Sequence, residues 1–218
     1  VKQLSGDVED GDYSGLLLPG KLIIKICNKT IPAFFVDHHF AHTNSAYFKS
    51  NYAKCIIFTA DGGGSGANGN LFSVGFESII KPLCSTSFAG GQLYSVSANR
   101  IGLDPGKFMG LSAYGVPDVE FVDDTLPKII SLTTGVPEFI ITTYEAKKGI
   151  KLSEYELETL SPEVDSVWMN GFGTMCSIRA NFASTIQAIY ERWLIRCLNE
   201  AINRYKNEDL PLVLSGGC

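Results

Sequence analysis

Residues 33–64 read AFFVDHHFAHTNSAYFKSNYAKCIIFTADGGG, and three patterns follow one another within them. The opening AFF is a short apolar run and reads as strand. HFAHTNSAYFKS has helical spacing, with Ala41, Ala46 and Phe48 able to share a face. KCIIFTAD is a continuous apolar run that stops at Asp-Gly, the pattern of a buried strand entering a turn. Strand, helix and buried strand in this order predict an α/β fold. Working outward, NLFSVGFES (70–78) reads as the return strand of a hairpin and KLIIKI (21–26) as an earlier strand. NFASTIQAIYERWLIRCLNEAINRYKN (181–207) predicts a long helix with Phe182, Ile186, Ile189, Trp193, Cys197 and Ile202 on its inner face. LPLVLSGG (210–217) predicts a buried strand with a glycine exit. Between these, EFIITTYE (138–145) reads as strand and SEYELETL (153–160) as a short acidic helix.

The bulk composition narrows the function. The 218 residues are 45% hydrophobic and 19% charged, which suits a globular chain able to bury a core. The net charge is -5 and no Lys/Arg block occurs, which argues against a nucleic-acid partner. No apolar run reaches the length of a membrane span, and no signal peptide is visible. The six cysteines form no CxxC pair and several lie in apolar runs, so reduced core thiols and a cytoplasmic location are expected. The chain opens without methionine and stops at a strand running into Gly-Gly, so it reads as a piece of a longer protein.

All three histidines of the chain fall between positions 38 and 42. On a helix, His38 and His42 stand four apart on one face and can hold one divalent metal. His39 lies about 100° around the helix from His38 and is better placed to meet a substrate. Asp37 beside them can support a ligand from outside the coordination sphere. The plainer alternative is three histidines with ordinary hydrogen bonds, and HxxxH alone does not decide between the two.

Three glycine-rich stretches carry similar alternatives. Asp61-Gly62-Gly63-Gly64 ends a buried strand. Such a loop lets backbone N–H groups approach a phosphate, and it is equally a hairpin turn. Lys107, within GLDPGKFMGLSAYG (102–115), offers a point charge for a phosphate or carbamoyl oxygen, or is a solvated surface lysine. Ser215-Gly216-Gly217 closes a strand where α/β folds often place nucleotides, or makes a tight turn.

Taken in order, HHFAH, DGGGSG, PGKFMGLSAYG, NFASTIQAIYERWL and LVLSGG resemble the O-carbamoyltransferases of the nodulation-protein and antibiotic-tailoring type. The resemblance covers roughly residues 36–115 and 180–218. It implies a partial actin/sugar-kinase/Hsp70-like (ribonuclease H-like) fold, related to the tRNA-threonylcarbamoyl transferase. Residues 1–218 would then be part of the metal-binding transferase domain, with a first strand pair upstream and the remainder of the full-length chain downstream. The implied activity forms a carbamoyl-adenylate from carbamoyl phosphate and ATP. The carbamoyl group then passes to a hydroxyl of a small sugar-like acceptor. By the same resemblance, His38 and His42 match a metal pair, often for iron, and His39 the histidine beside it. Asp61 to Gly64 match a phosphate-side hairpin and Ser215 to Gly217 the start of an adenosine-side loop. The acidic ligand completing the metal site is expected beyond residue 218. Ser65 stands where the family usually has glutamate, and HTN replaces its usual His-Ala. A related ATP-dependent transferase or kinase, or a non-catalytic binding module, are the alternatives. GKFMGLSAYG argues against a kinase or a tRNA-modifying relative.

Overall fold

The computed structural model describes residues 3–4, 8–10, 20–26, 29–64, 69–86, 90–129, 132, 135–154, 174–204 and 209–217. The chain divides into two units, Val1–Gly91 with Leu198–Cys218, and Gln92–Cys197.

The first unit is built on a mixed sheet. Its strands are β1 (Gln3–Leu4), β2 (Val8–Asp10), β3 (Gly20–Ile26), β4 (Lys29–Phe35), β5 (Lys54–Ala60), β6 (Asn70–Phe76), β7 (Ile79–Thr86) and β8 (Leu212–Ser215). Six of them form one sheet in the order β1-β2-β7-β6-β5-β8, while β3 and β4 pair separately as an antiparallel hairpin. β5 runs antiparallel to β6 and parallel to β8. No hairpin can make a parallel pair, and here the whole sequence of the second unit intervenes between β5 and β8. Pro82 interrupts β7 where its register against β6 shifts, a position where a missing N–H does least harm.

Helix α1 (His38–Ser50) connects β4 to β5. The side chain of Asp37 caps its start, accepting from the Phe40 N–H at 2.9 Å. Asn51 ends it in the left-handed region at φ 60°. The alternation of β5 decides what α1 covers. Residues two apart share a face of the strand. Cys55 and Ile57 pack with Tyr47, Phe40 and Ala46 of α1, with Ile80, and with Val213 of β8. Phe58 belongs to the opposite set and stacks on Phe72 at 4.3 Å between centroids. Every residue from Cys55 to Ala60 is buried, as the unbroken apolar run predicts. Gly75 lies opposite Cys55, and a Cβ there would overlap the Tyr47 ring. The buried strand expected within 210–217 is β8, which among the described residues stands last in the sheet order, with Leu214 63% exposed. Only its alternate residue Val213 reaches the core.

The second unit is helical among the described residues. Its helices are α2 (Gly90–Arg100), α3 (Pro105–Ser112), α4 (Val119–Ile129), α5 (Val136–Lys148) and α6 (Thr174–Arg204), with a short 3-10 turn at Leu152–Glu154. A run of edge-on and tilted aromatic contacts lies in its core. It passes from Tyr94 to Phe108 (5.7 Å), Phe182 (5.8 Å), Tyr144 (5.1 Å) and Phe121 (5.2 Å). The segment expected as a strand at 138–145 is helix α5. Its buried residues Val136, Ile140, Ile141 and Tyr144 recur at helical spacing, Pro137 sits in the first turn, and Gly149 caps the end at φ 64°. The β-branched content of EFIITT pulled the reading toward strand, and the caps and the period outweigh it. On α6 the inner face holds Phe182, Ile186, Ile189, Trp193 and Cys197 as expected. Ala201, four residues on, continues it, and Ile202 turns outward at 42% exposure. The acidic helix expected at 153–160 lies mostly outside the described residues. Cys55, Cys84 and Cys197 are buried thiols.

An ion pair ties α2 to α5. Arg100 donates through Nε and Nη2 to the two Glu145 oxygens at 3.0 and 2.7 Å, and the Leu152 N–H adds a third donor at 2.8 Å. Burial pushes the Glu145 carboxyl up, but the Arg100 hydrogen bond, the Leu152 N–H and nearby cationic charge outweigh it and hold it below its ordinary value. A carboxyl depressed on folding stabilises above its unfolded pKa of about 4.3, and that contribution fades as pH falls through the folded value. Glu145→Gln is therefore expected to cost about 2 kcal/mol at pH 7, discounted from the cost of breaking a fully buried pair because Arg100 is partly exposed. Urea unfolding should show the gap to wild type shrinking below about pH 4.3. A gap independent of pH would mean that the charge is not what matters.

Candidate metal centre

The parallel pairing of β5 and β8 sets the site. Thr59 stands opposite Ser215, so both strands end at the same edge of the sheet. Asp61 follows β5 there, and Gly216 and Gly217 follow β8. Gly216 has φ 124°, and a Cβ on it would overlap the Ala60 carbonyl, so only glycine fits this close passage. A Cβ on Gly217 would come within 3.3 Å of Asp61 Oδ1. The structure thus brings Gly216 and Gly217 against Ala60 and Asp61, with Ser215 opposite Thr59, a juxtaposition that the separate glycine stretches did not reveal. Gly63 and Gly64 continue from Gly62, whereas Ser65 lies outside the described residues.

Helix α1 supplies the histidines. His38 and His42 are one helical turn apart, and their rings stand 4.7 Å between centroids and nearly perpendicular at 82°. Both present Nε2 to the same atom, Asp61 Oδ2, at 2.8 Å from His38 and 3.1 Å from His42. The other carboxylate oxygen, Oδ1, accepts the Gly62 N–H at 2.6 Å. Burial raises the Asp61 carboxyl, but the His38 hydrogen bond, the Gly62 N–H and the two imidazoles outweigh it, and the net shift is downward.

One ligand atom from each of His38, His42 and Asp61 lies within 4.8 Å of the other two. Two converging imidazole nitrogens and one carboxylate oxygen are a donor set suited to a divalent first-row metal, Fe(II) included. The spacing fits one ion taking the place of the shared hydrogen bonds. The sequence reading expected the acidic partner beyond residue 218, whereas a carboxylate already stands within reach of both histidines. Asp61 was legible as a strand-end aspartate before glycines, but nothing local in sequence pairs it with residues 23 and 19 positions earlier.

Three other candidates lie outside this cluster. His39, expected to face a substrate, turns inward and is 3% exposed, with Nδ1 3.0 Å from Thr59 Oγ1. Lys107 belongs to the second unit, on α3, where its exposed ammonium pairs with Asp104 at 3.3 Å. Asp37, read as a support for a ligand, is the buried cap of α1.

The segment around Lys107 has a structural logic of its own. Asp104 caps α3, Phe108 is fully buried in the aromatic core, and the turn after α3 reaches α6. A Cβ on Gly115 would overlap the backbone carbonyl of Ala180, and the Val116 N–H donates to Asn181 Oδ1 at 2.7 Å. Glycine at 115 is therefore required by contact between two backbones.

Comparison with known proteins identifies the family. The family described as carbamoyltransferase N-terminus matches residues 8–218. Nodulation protein NolNO of Sinorhizobium fredii is 38% identical over 109 residues, which is 47% of this chain and 16% of that protein. An uncharacterized protein of Synechocystis sp., sll1178, is 26% identical over 199 residues, which is 85% of this chain and 30% of that protein. The chain thus spans less than a third of the length of either relative. Among the described residues, no helix is long and apolar enough to cross a membrane. With its family model matched along nearly its whole length, the chain belongs to the carbamoyltransferase N-terminus family.

Proposed function

We propose that the full-length protein transfers a carbamoyl group, through a carbamoyl-adenylate made from carbamoyl phosphate and ATP, to a hydroxyl of a small sugar-like acceptor. In this reading the chain is part of an actin/sugar-kinase/Hsp70-like domain that works in the cytoplasm on small molecules, together with the remainder of the protein. The convergence of His38, His42 and Asp61, in a chain of this family, is the observation that carries the proposal.

His38, His42 and Asp61 would hold a divalent metal, with Fe(II) the expected ion. A bound divalent cation supplies Lewis acidity toward a carbonyl or phosphoryl oxygen. The other roles fall to the chain itself. Asp61 keeps its charge at neutral pH, because donors on both oxygens favour the ionised form. In the Gly62–Gly64 loop the Gly62 N–H is held by Asp61, and Gly63 and Gly64 can present backbone N–H groups to a phosphate without steric hindrance, since a Cβ at Gly63 would meet nothing within 4 Å. Ser215 to Gly217, beside Asp61 at the ends of parallel strands, are suited to the adenosine side of a nucleotide. Lys107 would offer its charge to a phosphate or carbamoyl oxygen.

The test is turnover by the full-length protein supplied with carbamoyl phosphate, ATP and a panel of hydroxylated acceptors. ATP-dependent carbamoylation that disappears in the His38→Ala/His42→Ala double variant is expected. Undiminished transfer by a folded double variant would refute the site assignment, and absence of any carbamoyl-phosphate-dependent consumption of ATP would refute the reaction.

A further inference from the structure

The geometry points to His39 and Thr59 as a buried positioning pair that sets the angle at which His38 and His42 meet Asp61; this rests on the metal-centre reading above. The pair repeats the ligand geometry one step deeper. His39 follows His38 on α1, and Thr59, on the face of β5 that α1 covers, precedes by two residues Asp61, which lies just past the strand end. The helix therefore meets the strand twice. The outer contact joins His38 and His42 to Asp61, and the inner contact joins His39 Nδ1 to Thr59 Oγ1 at 3.0 Å.

The inner contact is fully enclosed. His39 is 3% exposed and Thr59 0%. Thr59 is itself held, because its hydroxyl donates to the Leu71 carbonyl on β6 at 3.4 Å. A hydroxyl has one proton, and when that proton is directed to Leu71 the oxygen is left to accept from His39, with the imidazole proton on Nδ1. In either direction the bond orients the ring toward Thr59. The Thr43 hydroxyl donates to the His39 carbonyl at 2.9 Å and holds the same turn of α1 from the next one. An apolar residue at 39 would bury equally well but would leave Thr59 without its donor and would let α1 rotate or slide on β5. Because the outer ligands sit on the same turn as His39, a small rotation moves both imidazoles off Asp61. A hydrogen bond specifies direction where packing of Phe40, Ala46 and Tyr47 specifies only contact.

Titration of the metal-free chain with Co2+, followed by the visible absorption of the bound ion, tests the pair. Wild type is expected to bind one Co2+ per chain. His39→Leu and the isosteric Thr59→Val should each weaken binding about 10- to 100-fold and alter the absorption band, the range seen when groups that orient metal ligands are removed. His39→Asn, which keeps an N–H near the Nδ1 position, and Thr59→Ser should restore most of the affinity and the wild-type band. Circular dichroism melts identify any variant that does not fold. A purely structural role would lower the melting temperature while leaving the affinity and spectrum of the folded protein unchanged. Binding by folded His39→Leu and Thr59→Val within about twofold of wild type would overturn the positioning role and leave the metal centre intact. Failure of His39→Asn to restore the band would overturn the hydrogen bond as the device. Absence of stoichiometric Co2+ binding in wild type would overturn the metal centre itself and the positioning role with it.

Discussion

Asp61→Asn is expected to lower divalent-metal affinity by more than about 100-fold, beyond the usual effect of losing a group that merely orients a ligand. The substitution is nearly isosteric, so α1 and β5 keep their packing. What changes is the atom that both imidazoles address. Oδ2 lies 2.8 and 3.1 Å from the two Nε2 atoms, and neutralising it removes the one anionic donor of the cluster. An asparagine retains a carbonyl oxygen, but a neutral oxygen is a much poorer ligand for a divalent cation, and its amide can be turned toward the imidazoles instead. Isothermal titration with Mn2+ or Co2+ reads the effect directly. Affinity within tenfold of wild type would show that Asp61 is a hydrogen-bond partner of the histidines and not a ligand.

The second large effect is expected at Gly115, in the turn after α3. Gly115→Ala should destabilise the chain by about 3 kcal/mol or more, a magnitude typical of forced overpacking with backbone displacement. The added methyl group would occupy the space of the Ala180 carbonyl, so the obstacle is backbone and no rotamer change relieves it. Separation of the α3 turn from α6 would also stretch the bond from the Val116 N–H to Asn181 and the bond from the Asp118 N–H to Thr185. Gly110→Ala is the matched control. A Cβ at Gly110, within α3, meets nothing within 4 Å, and alanine is the better helix former there by about 1 kcal/mol. Urea denaturation of the two variants should therefore move in opposite directions. Equal stability of Gly115→Ala and wild type would mean that the close approach of these backbones is not required.

The contrast between these two positions shows what the sequence made legible. The helix at His38 and the spacing of His38 and His42 are local, four residues on a 3.6-residue period, and both were readable. The buried strand ending at Asp61 was readable from its unbroken apolar run and the Asp-Gly that follows. The meeting of the two was not, because it depends on which face of β5 α1 covers, and that is settled by Tyr47, Phe40 and Ala46 packing on Cys55 and Ile57. The same packing explains His39. A position 100° around a helix from a ligand faces either solvent or core, and only the placement of α1 on the sheet turns it toward Thr59. In the second unit, the strand expected at 138–145 gives way to helix α5, because Ile140, Ile141, Thr142 and Thr143 favour strands individually while the period of the buried residues and the glycine caps favour helix. GKFMGLSAYG is one of the segments that carry the family resemblance. Its glycine at 115 proves to serve packing in the second unit, a role that spacing alone does not distinguish from ligand binding.

The most direct test of the central claim is the metal content of the purified chain, measured by elemental analysis after equilibration with Fe2+ under anaerobic conditions and removal of free ion. One metal per chain is expected in wild type, falling to background in the folded His38→Ala/His42→Ala variant. Wild-type protein without stoichiometric metal, or a double variant that retains it, would contradict the assignment of His38, His42 and Asp61 as a metal centre.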